Sequence, residues 1–454
     1  MELKGKKVLV VGLGKSGLAA ALFLRRQGAQ VTVSDVRSAE ALAKDIPALL
    51  EEGIMVEAGG HGLLTFRRQD LIVLSPGVPL DTPELVQVKS FGLPVIGELE
   101  LAARFLKGGI VAITGSNGKT TTTALLGEIL KDSGLPTLVG GNIGVPVVDL
   151  IDESTPDTWS VLEVSSFQLE STVEFHPRIA VILNITPDHL DRHGSFENYA
   201  LAKERIFAAQ NEDDFVVLNA DNARTADAAA RSTAKVYWFS IEHPVEQGSW
   251  FENGFIVYRT AKDAKVEQVI PLTGIPLKGT HNVENVMAAV VAARLAGVSA
   301  EAIRQSIEKF QAVEHRLEFV ATFNGVEYYN DSKATNVDAT AKAIAAFPSG
   351  IHLILGGKDK GSDYTLLSPL LRERVSAVYT IGSAAAKIES HLRGVVSIYS
   401  CETLEKAVRA AASAARPGDV VLLAPACSSY DQFENYEQRG RVFKQLVNDR
   451  PRWK

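Results

Sequence analysis

Ile110-Val111-Ala112-Ile113-Thr114-Gly115-Ser116-Asn117-Gly118-Lys119-Thr120-Thr121 is the stretch that decides the fold. Its first four residues are an apolar run of the kind that strands buried on both faces of a parallel sheet show. The glycine-rich segment that follows lets successive backbone N–H groups wrap a β-phosphate. Lys119 can neutralise β/γ charge there, and a threonine hydroxyl at Thr120 or Thr121 can ligate Mg²⁺. The standard loop has a glycine five residues before the last one, and position 113 is Ile. The loop is therefore a shorter variant that starts at Gly115, and the strand, GKTT core and helix from about Thr120 make ATP the expected ligand.

Working outward, the same kind of run recurs at Val8-Leu9-Val10-Val11, Val31-Thr32-Val33 and Leu71-Ile72-Val73-Leu74, and again from Ile351-Leu355 to Val420-Ala424. Helical patterns separate the runs, so the class is α/β with parallel sheets. At roughly 150 residues per domain, 454 residues suggest about three domains. Breaks near Pro94-Gly97 and Gln311-His315 give an N-terminal Rossmann-like domain at 1–97, a central P-loop ATPase-like domain at 98–313 and a Rossmann-like C-terminal domain at 314–454. Glu98 to Leu106 reads as a linking helix, and the weakly periodic runs between Val216 and Ile270 read as an antiparallel addition.

Composition excludes several classes of function. The 47 Lys+Arg against 54 Asp+Glu leave a net charge of −7, with no basic surplus to attract nucleic acid or an anionic membrane. No apolar run approaches a membrane span; Leu18 to Leu24 is stopped by Arg25-Arg26. The two cysteines and the absence of a signal-like apolar segment near Met1 point to the cytoplasm.

Lys7-Val11 runs into Gly12-Leu13-Gly14-Lys15-Ser16-Gly17 and a helix, with Asp35 ending the next strand. Glycines of this pattern let backbone approach a diphosphate at the helix N-terminus, while the acid meets a ribose hydroxyl. The usual inference is NAD; a nucleotide-sugar site and a tight structural turn are the alternatives. Glu163 closes the strand Ser160-Val164, and an acid at that edge beside a phosphate loop suits Mg²⁺. His189 follows the strand Ala180-Asn184 among acids and is a second candidate for the metal. Asp191 and His193 suit a capping or turn role as well.

The short GSNGKTT loop, Glu163, His189 and Asn198-Tyr199-Ala200-Leu201-Ala202-Lys203-Glu204 together resemble the ATP-dependent amide-forming ligases of peptidoglycan precursor synthesis, the Mur ligase family. Gly140-Gly144, Ser165-Leu169, Asn330-Asp331-Ser332-Lys333-Ala334-Thr335-Asn336 and Pro425-Phe433 point within it to the branch that joins D-glutamate to UDP-N-acetylmuramoyl-L-alanine. That resemblance implies a UDP end of the substrate at Gly12, Gly14, Lys15, Ser16, Gly17, Asp35, Arg37, Ser75 and Asn142. It implies ATP at Gly115, Ser116, Asn117, Gly118, Lys119, Thr120, Thr121, Asn285, Arg316 and Asp331. Mg²⁺ is implied at Thr120, Glu163, His189 and Lys203, the last as a carbamate, since a neutral amine that adds CO₂ becomes an anionic oxygen ligand. Lys333 is implied near the new bond, and Thr335, Lys360, Ser429 and Tyr436 at D-glutamate, although Lys358 lies close enough to be confused with Lys360. The catalytic set so implied is Lys119, Glu163, His189, Lys203 and Lys333, in a monomeric cytoplasmic enzyme without nucleic-acid or membrane partners.

Three other readings compete. A folylpolyglutamate synthase shares the middle domain but is not expected to carry the GxGxxG domain in front. A nicotinamide-dependent oxidoreductase leaves Gly115 to Thr121 idle. A non-enzymatic nucleotide switch has no need of a third domain rich in polar loops.

Overall fold

The computed structural model describes residues 1–311 and 313–449. Ala312, inside the expected second break, and residues 450–454, at the end of the expected third domain, lie outside the described residues. Within the described residues three sheets organise the chain. The first has the order Met55–Ala58, Gln30–Asp35, Lys7–Val11, Leu71–Leu74, Val95–Gly97, with every neighbouring pair parallel. Strand order reverses at Lys7–Val11. The loops after it and after Leu71–Leu74 therefore open beside each other, at the kind of switch point where open α/β sheets take ligands.

The second sheet runs Glu267–Pro271, Phe255–Arg259, Gly248–Glu252, Lys235–Ser240, Phe215–Asn219, Ile179–Ile182, Gly109–Thr114, Trp159–Glu163, Thr137–Gly141. Here the expected antiparallel addition is corrected. Phe215–Asn219 and Lys235–Ser240 continue the parallel sheet, Gly248–Glu252 pairs parallel with Lys235–Ser240, and antiparallel pairing begins only at Phe255–Arg259. The reason is local. The short helix Ala223–Ala228 carries the chain between two parallel strands, whereas Asn253-Gly254, both at positive φ, make a two-residue hairpin turn.

The third sheet runs Glu318–Phe323, Val326–Asn330, Val420–Leu423, Ile351–Gly356, Val375–Ile381, Ile398–Glu402; its first pair is antiparallel and the others parallel. Leu353 and Leu355 join Leu422 and Ile344 in one core, while Ile354 joins Val421, Leu423, Phe443 and Val447 in another. Alternate residues of one strand thus feed two cores, which is why the run is apolar throughout. Burial of each such side chain contributes about 1.5–3 kcal/mol. The chain forms two compact units. One comprises Met1–Ile185, Glu197–Ile270 and Val286–Ser306; the other comprises Thr186–Phe196, Pro271–Asn285 and the chain from Ile307 onward. No described helix is long and apolar enough to cross a membrane.

The linking helix is Glu98–Ala103, shorter than the sequence pattern suggests, and its two acids are buried. Glu100 accepts the N–H groups of Val173 (2.8 Å) and Glu174 (3.0 Å) and pairs with Arg104. Glu98 accepts the Val148 N–H at 3.0 Å. Burial pushes its carboxyl from 4.5 up to about 7, against the backbone bonds that favour the charged form. The stability this group contributes is complete below its unfolded value of 4.5 and is lost as pH rises through about 7. Glu98→Gln keeps an acceptor oxygen without that ionisation. Its stability relative to wild type should therefore rise by about 3 kcal/mol between pH 4.5 and pH 8.5. Urea midpoints at the two pH values check this, and an equal difference at both would contradict it.

Candidate active site

The loop Gly12–Gly17 leads into the helix Lys15–Arg26. A Cβ at Gly17 would lie 1.9 Å from the Gly12 carbonyl oxygen, so the helix packs on the turn only with glycine there. Nothing lies within 4 Å of a Cβ built at Gly14, leaving open space where a ligand can approach the backbone. Ser75 Oγ donates to Gly12 O at 2.7 Å and fixes the turn from the neighbouring strand's loop. Asp35 accepts from Leu13 N–H (2.6 Å), Arg37 N–H (2.8 Å), Arg37 Nε (3.0 Å) and an Arg37 terminal nitrogen (2.9 Å). Burial alone would raise this carboxyl; the Arg37 side chain and the two backbone N–H groups outweigh it and bring it down to about 2. A carboxylate has about four lone-pair positions, so these bonds fill it, and recognition of a ribose by Asp35 requires Arg37 to yield one. Lys15 Nζ donates to Gly144 O, tying this loop to the Gly140–Gly144 segment.

Pairing of Gly109–Thr114 with Trp159–Glu163 places Glu163 beside Ile113, at the root of the second loop. Gly118, at φ +89°, ends that loop and precedes the helix Lys119–Asp132. Lys119 Nζ curls back onto Gly115 O (2.7 Å) and Ser116 O (3.1 Å). Thr120 Oγ1 donates to Glu163 Oε2 at 2.8 Å, and Asn142 Nδ2 donates to Glu163 Oε1 at 2.8 Å. Lys203 is buried; its Nζ donates to Gly115 O at 2.8 Å and lies 4.6 Å from the Tyr199 ring centroid. Gly115 O therefore receives both lysines, one from the loop and one from the helix Phe196–Glu204.

Two loop supports have no counterpart in the motif reading. Asn184 Oδ1 accepts the Asn117 N–H at 2.9 Å and its Nδ2 donates to Asn117 O at 3.1 Å. Tyr199 OH meets Ser116 Oγ at 3.0 Å. Both sit in segments the sequence flags, at a strand end and in the Asn198–Glu204 run, yet no pattern tells an amide brace from a turn residue. The donors fit a hard cation: a hydroxyl and a carboxylate oxygen already converge, as Mg²⁺ prefers. Lys203 as an amine offers no oxygen and would join such a set only as a carbamate.

In the second unit, His189 stands at φ +52°, its N–H on Asp188 Oδ1 (3.0 Å) and its Nε2 3.7 Å from Asp188 Oδ2. Asp188, which the sequence reading passed over, also accepts Asn336 Nδ2 at 3.0 Å and lies 4.0 Å from Lys360 Nζ. Lys358 instead pairs its backbone with Ser428 and leaves its side chain exposed. Of the two neighbouring lysines, Lys360, which the resemblance favours, is the half-buried one and lies on the polar cluster. Asn285 Nδ2 donates to Asn282 Oδ1 at 3.0 Å. Asp331 is buried and accepts the Leu317 N–H at 3.2 Å. Burial raises its carboxyl to about 6, against the pull of the Arg316 charge. His315 and Leu317, on either side of Arg316, both hold positive φ, a conformation costing about 1–3 kcal/mol for such residues. Lys333 Nζ stands 5.1 Å from the Tyr436 ring centroid, Thr335 N–H bonds Lys333 O at 2.9 Å, and Ser429 is buried.

A MurD-like N-terminal domain of Mur ligases matches residues 6–97, the Mur ligase middle domain residues 113–293, and the glutamate ligase domain residues 315–427. The UDP-N-acetylmuramoylalanine--D-glutamate ligase of Acidobacterium capsulatum is 71% identical over 98% of this chain and 97% of its own. Its namesake from Koribacter versatilis is 59% identical over 98% of each. Among solved structures, a pseudomurein peptide ligase type C from Methanothermus fervidus has a TM-score of 0.62 at 22% identity, covering 98% of this chain and 100% of its own. MurF ligase from Thermotoga maritima in complex with ADP gives 0.61 at 17%, covering 99% and 96%; these two likenesses show the fold. With three consecutive domains matched and a relative 71% identical almost end to end, the chain belongs to the Mur ligase family.

Proposed function

We propose that the chain joins D-glutamate to UDP-N-acetylmuramoyl-L-alanine at the expense of ATP, releasing ADP and phosphate, in the synthesis of peptidoglycan precursors. The observation that carries this reading is the 71% identity, over nearly the whole of both chains, with a relative that bears the name of this reaction. Three domains, 1–97, 98–313 and 314–454, divide the work. The UDP moiety lies on Gly12, Gly14, Ser16, Gly17 and Arg37, with Ser75 and Asp35 holding the turn. ATP lies on Gly115–Thr121, with Asn285, Arg316 and Asp331 at its nucleoside and phosphate ends. Thr120, Glu163, His189 and carbamylated Lys203 would hold Mg²⁺, which supplies charge neutralisation at the phosphates.

The L-alanyl carboxylate attacks the γ-phosphorus and ADP leaves. The amine of D-glutamate then adds to the acyl phosphate, and phosphate departs from the tetrahedral intermediate. Lys119 gives up its loop carbonyls to meet the γ-phosphate, exchanging dipoles for a full anionic charge. Thr335, Lys360, Ser429 and Tyr436 supply cationic and hydroxyl donors for the two carboxylates, and Lys333 stands near the new bond.

Phosphate release with ATP, Mg²⁺ and UDP-N-acetylmuramoyl-L-alanine tests the reading across a panel of amino acids. D-glutamate should support turnover, with L-glutamate lower by at least about a hundredfold, because a site built for two carboxylates and one configuration leaves buried donors unpaired with the wrong one. Equal turnover with L-lysine or meso-diaminopimelate would overturn it.

A further inference from the structure

Arg439 lies in the first turn of the helix Tyr436–Asn448 and is fully buried. Among the described residues, all of its hydrogen bonds go to uncharged acceptors. Nε donates to Ser332 Oγ at 3.0 Å, one terminal nitrogen donates to Ser332 O at 2.8 Å, and both terminal nitrogens reach Cys427 O at 3.2 Å. Ser332 Oγ in turn donates to Tyr436 O at 2.9 Å. A third loop closes over the same guanidinium: a Cβ built at Gly357 would lie 3.1 Å from it.

These contacts join three loops that leave adjacent parallel strands. They follow Val326–Asn330, Val420–Leu423 and Ile351–Gly356, and they carry Lys333 and Thr335, Ser429, and Lys360 respectively. The cation is placed against ordinary preference. It is out of water, no carboxylate of the described residues forms a salt bridge with it, and the first turn of a helix disfavours positive charge. Burial lowers the guanidinium only to about 10, Cys427 and Asp431 acting the other way, so it stays charged at neutral pH.

We propose that Arg439 is the positioning residue of the amino-acid site: it clamps the three loops that hold the substrate's carboxylates and keeps beneath them a buried positive charge, salt-bridged to no carboxylate of the described residues, for a dianion to balance. The inference rests on the D-glutamate reading. Wild-type turnover with D-glutamate tests that reading by itself, so the behaviour of variants bears only on Arg439.

The test separates KM values for the three substrates. Arg439→Gln should raise the KM for D-glutamate by about tenfold or more, the effect of losing hydrogen bonds to a charged group, while the KM values for ATP and the UDP substrate stay within about twofold. Arg439→Lys, which keeps the charge but lacks the planar fork, should fall between wild type and Arg439→Gln. Ser332→Ala, which removes the Nε acceptor and the donor to Tyr436 O but keeps the guanidinium and its bonds to Ser332 O and Cys427 O, should raise the D-glutamate KM by a few-fold. A rise shared equally by all three substrates, or none, overturns the proposal. If Arg439→Gln does not fold, Arg439→Lys and Ser332→Ala decide it on the same criterion.

Discussion

Lys119→Ala is expected to reduce kcat by at least about a hundredfold with little change in the fold, since removing a preorganised charge from a developing anion has effects of that size. In the structure the ammonium is held on Gly115 O and Ser116 O, two neutral acceptors at 2.7 and 3.1 Å. Those bonds keep the side chain over the loop, where a γ-phosphate bound by the same loop can take the ammonium over. The helix that starts at Lys119 also has Gly118 and its buried threonines to hold it, which is why its loss should spare stability. Thermal unfolding should be close to wild type while phosphate release collapses. Lys119→Arg should recover little, because a planar, delocalised guanidinium does not reproduce the compact point charge of the ammonium. Near-normal turnover by Lys119→Ala would remove the phosphate-loop assignment, and with it the step that activates the carboxylate.

The strands and both glycine loops were legible because each is a local signal: an apolar run buried on two faces, then glycines where a turn needs them. Gly17 and Gly118 are examples, one forced by a 1.9 Å approach and one by positive φ. Pairing direction was less legible. Between Val216 and Ile270 the helix Ala223–Ala228 is only six residues long, too short for a period to declare itself, so a parallel pair read as a meander. Side chains that act through distant partners were the least visible. Asn184, Asp188 and Arg439 work by meeting Asn117, Asn336 and Ser332, and spacing alone cannot announce a partner far along the chain. Arg439 did carry a faint sign. It shares a helix face with Phe443 and Val447 at intervals of four, and a charge on an apolar face is either buried for a purpose or misplaced.

Lys203→Ala should lose at least about a hundredfold in kcat, for a reason different from that of Lys119. The side chain is buried, it donates to the same Gly115 carbonyl, and it packs on Tyr199, whose hydroxyl meets Ser116. A cation there would add to Lys119, placing two positive charges on one carbonyl beside the Thr120 and Glu163 pair. A carbamate changes the sign: the neutral amine forms an N–C bond to CO₂, releases a proton, and presents two oxygens of the kind Mg²⁺ selects. Truncation to alanine leaves a space that a small carboxylate can enter. Formate or acetate should then restore part of the activity to Lys203→Ala in a saturable way, and should restore none to Lys119→Ala, whose missing group is a cation. Bicarbonate depletion of the wild type should lower activity reversibly, while ¹³C-labelled bicarbonate should give a carbamate resonance that is absent from Lys203→Ala. A folded Lys203→Ala that no carboxylate rescues, together with a wild type lacking that resonance, would leave Lys203 as a buried amine bracing the phosphate loop and would take it out of the proposed metal set.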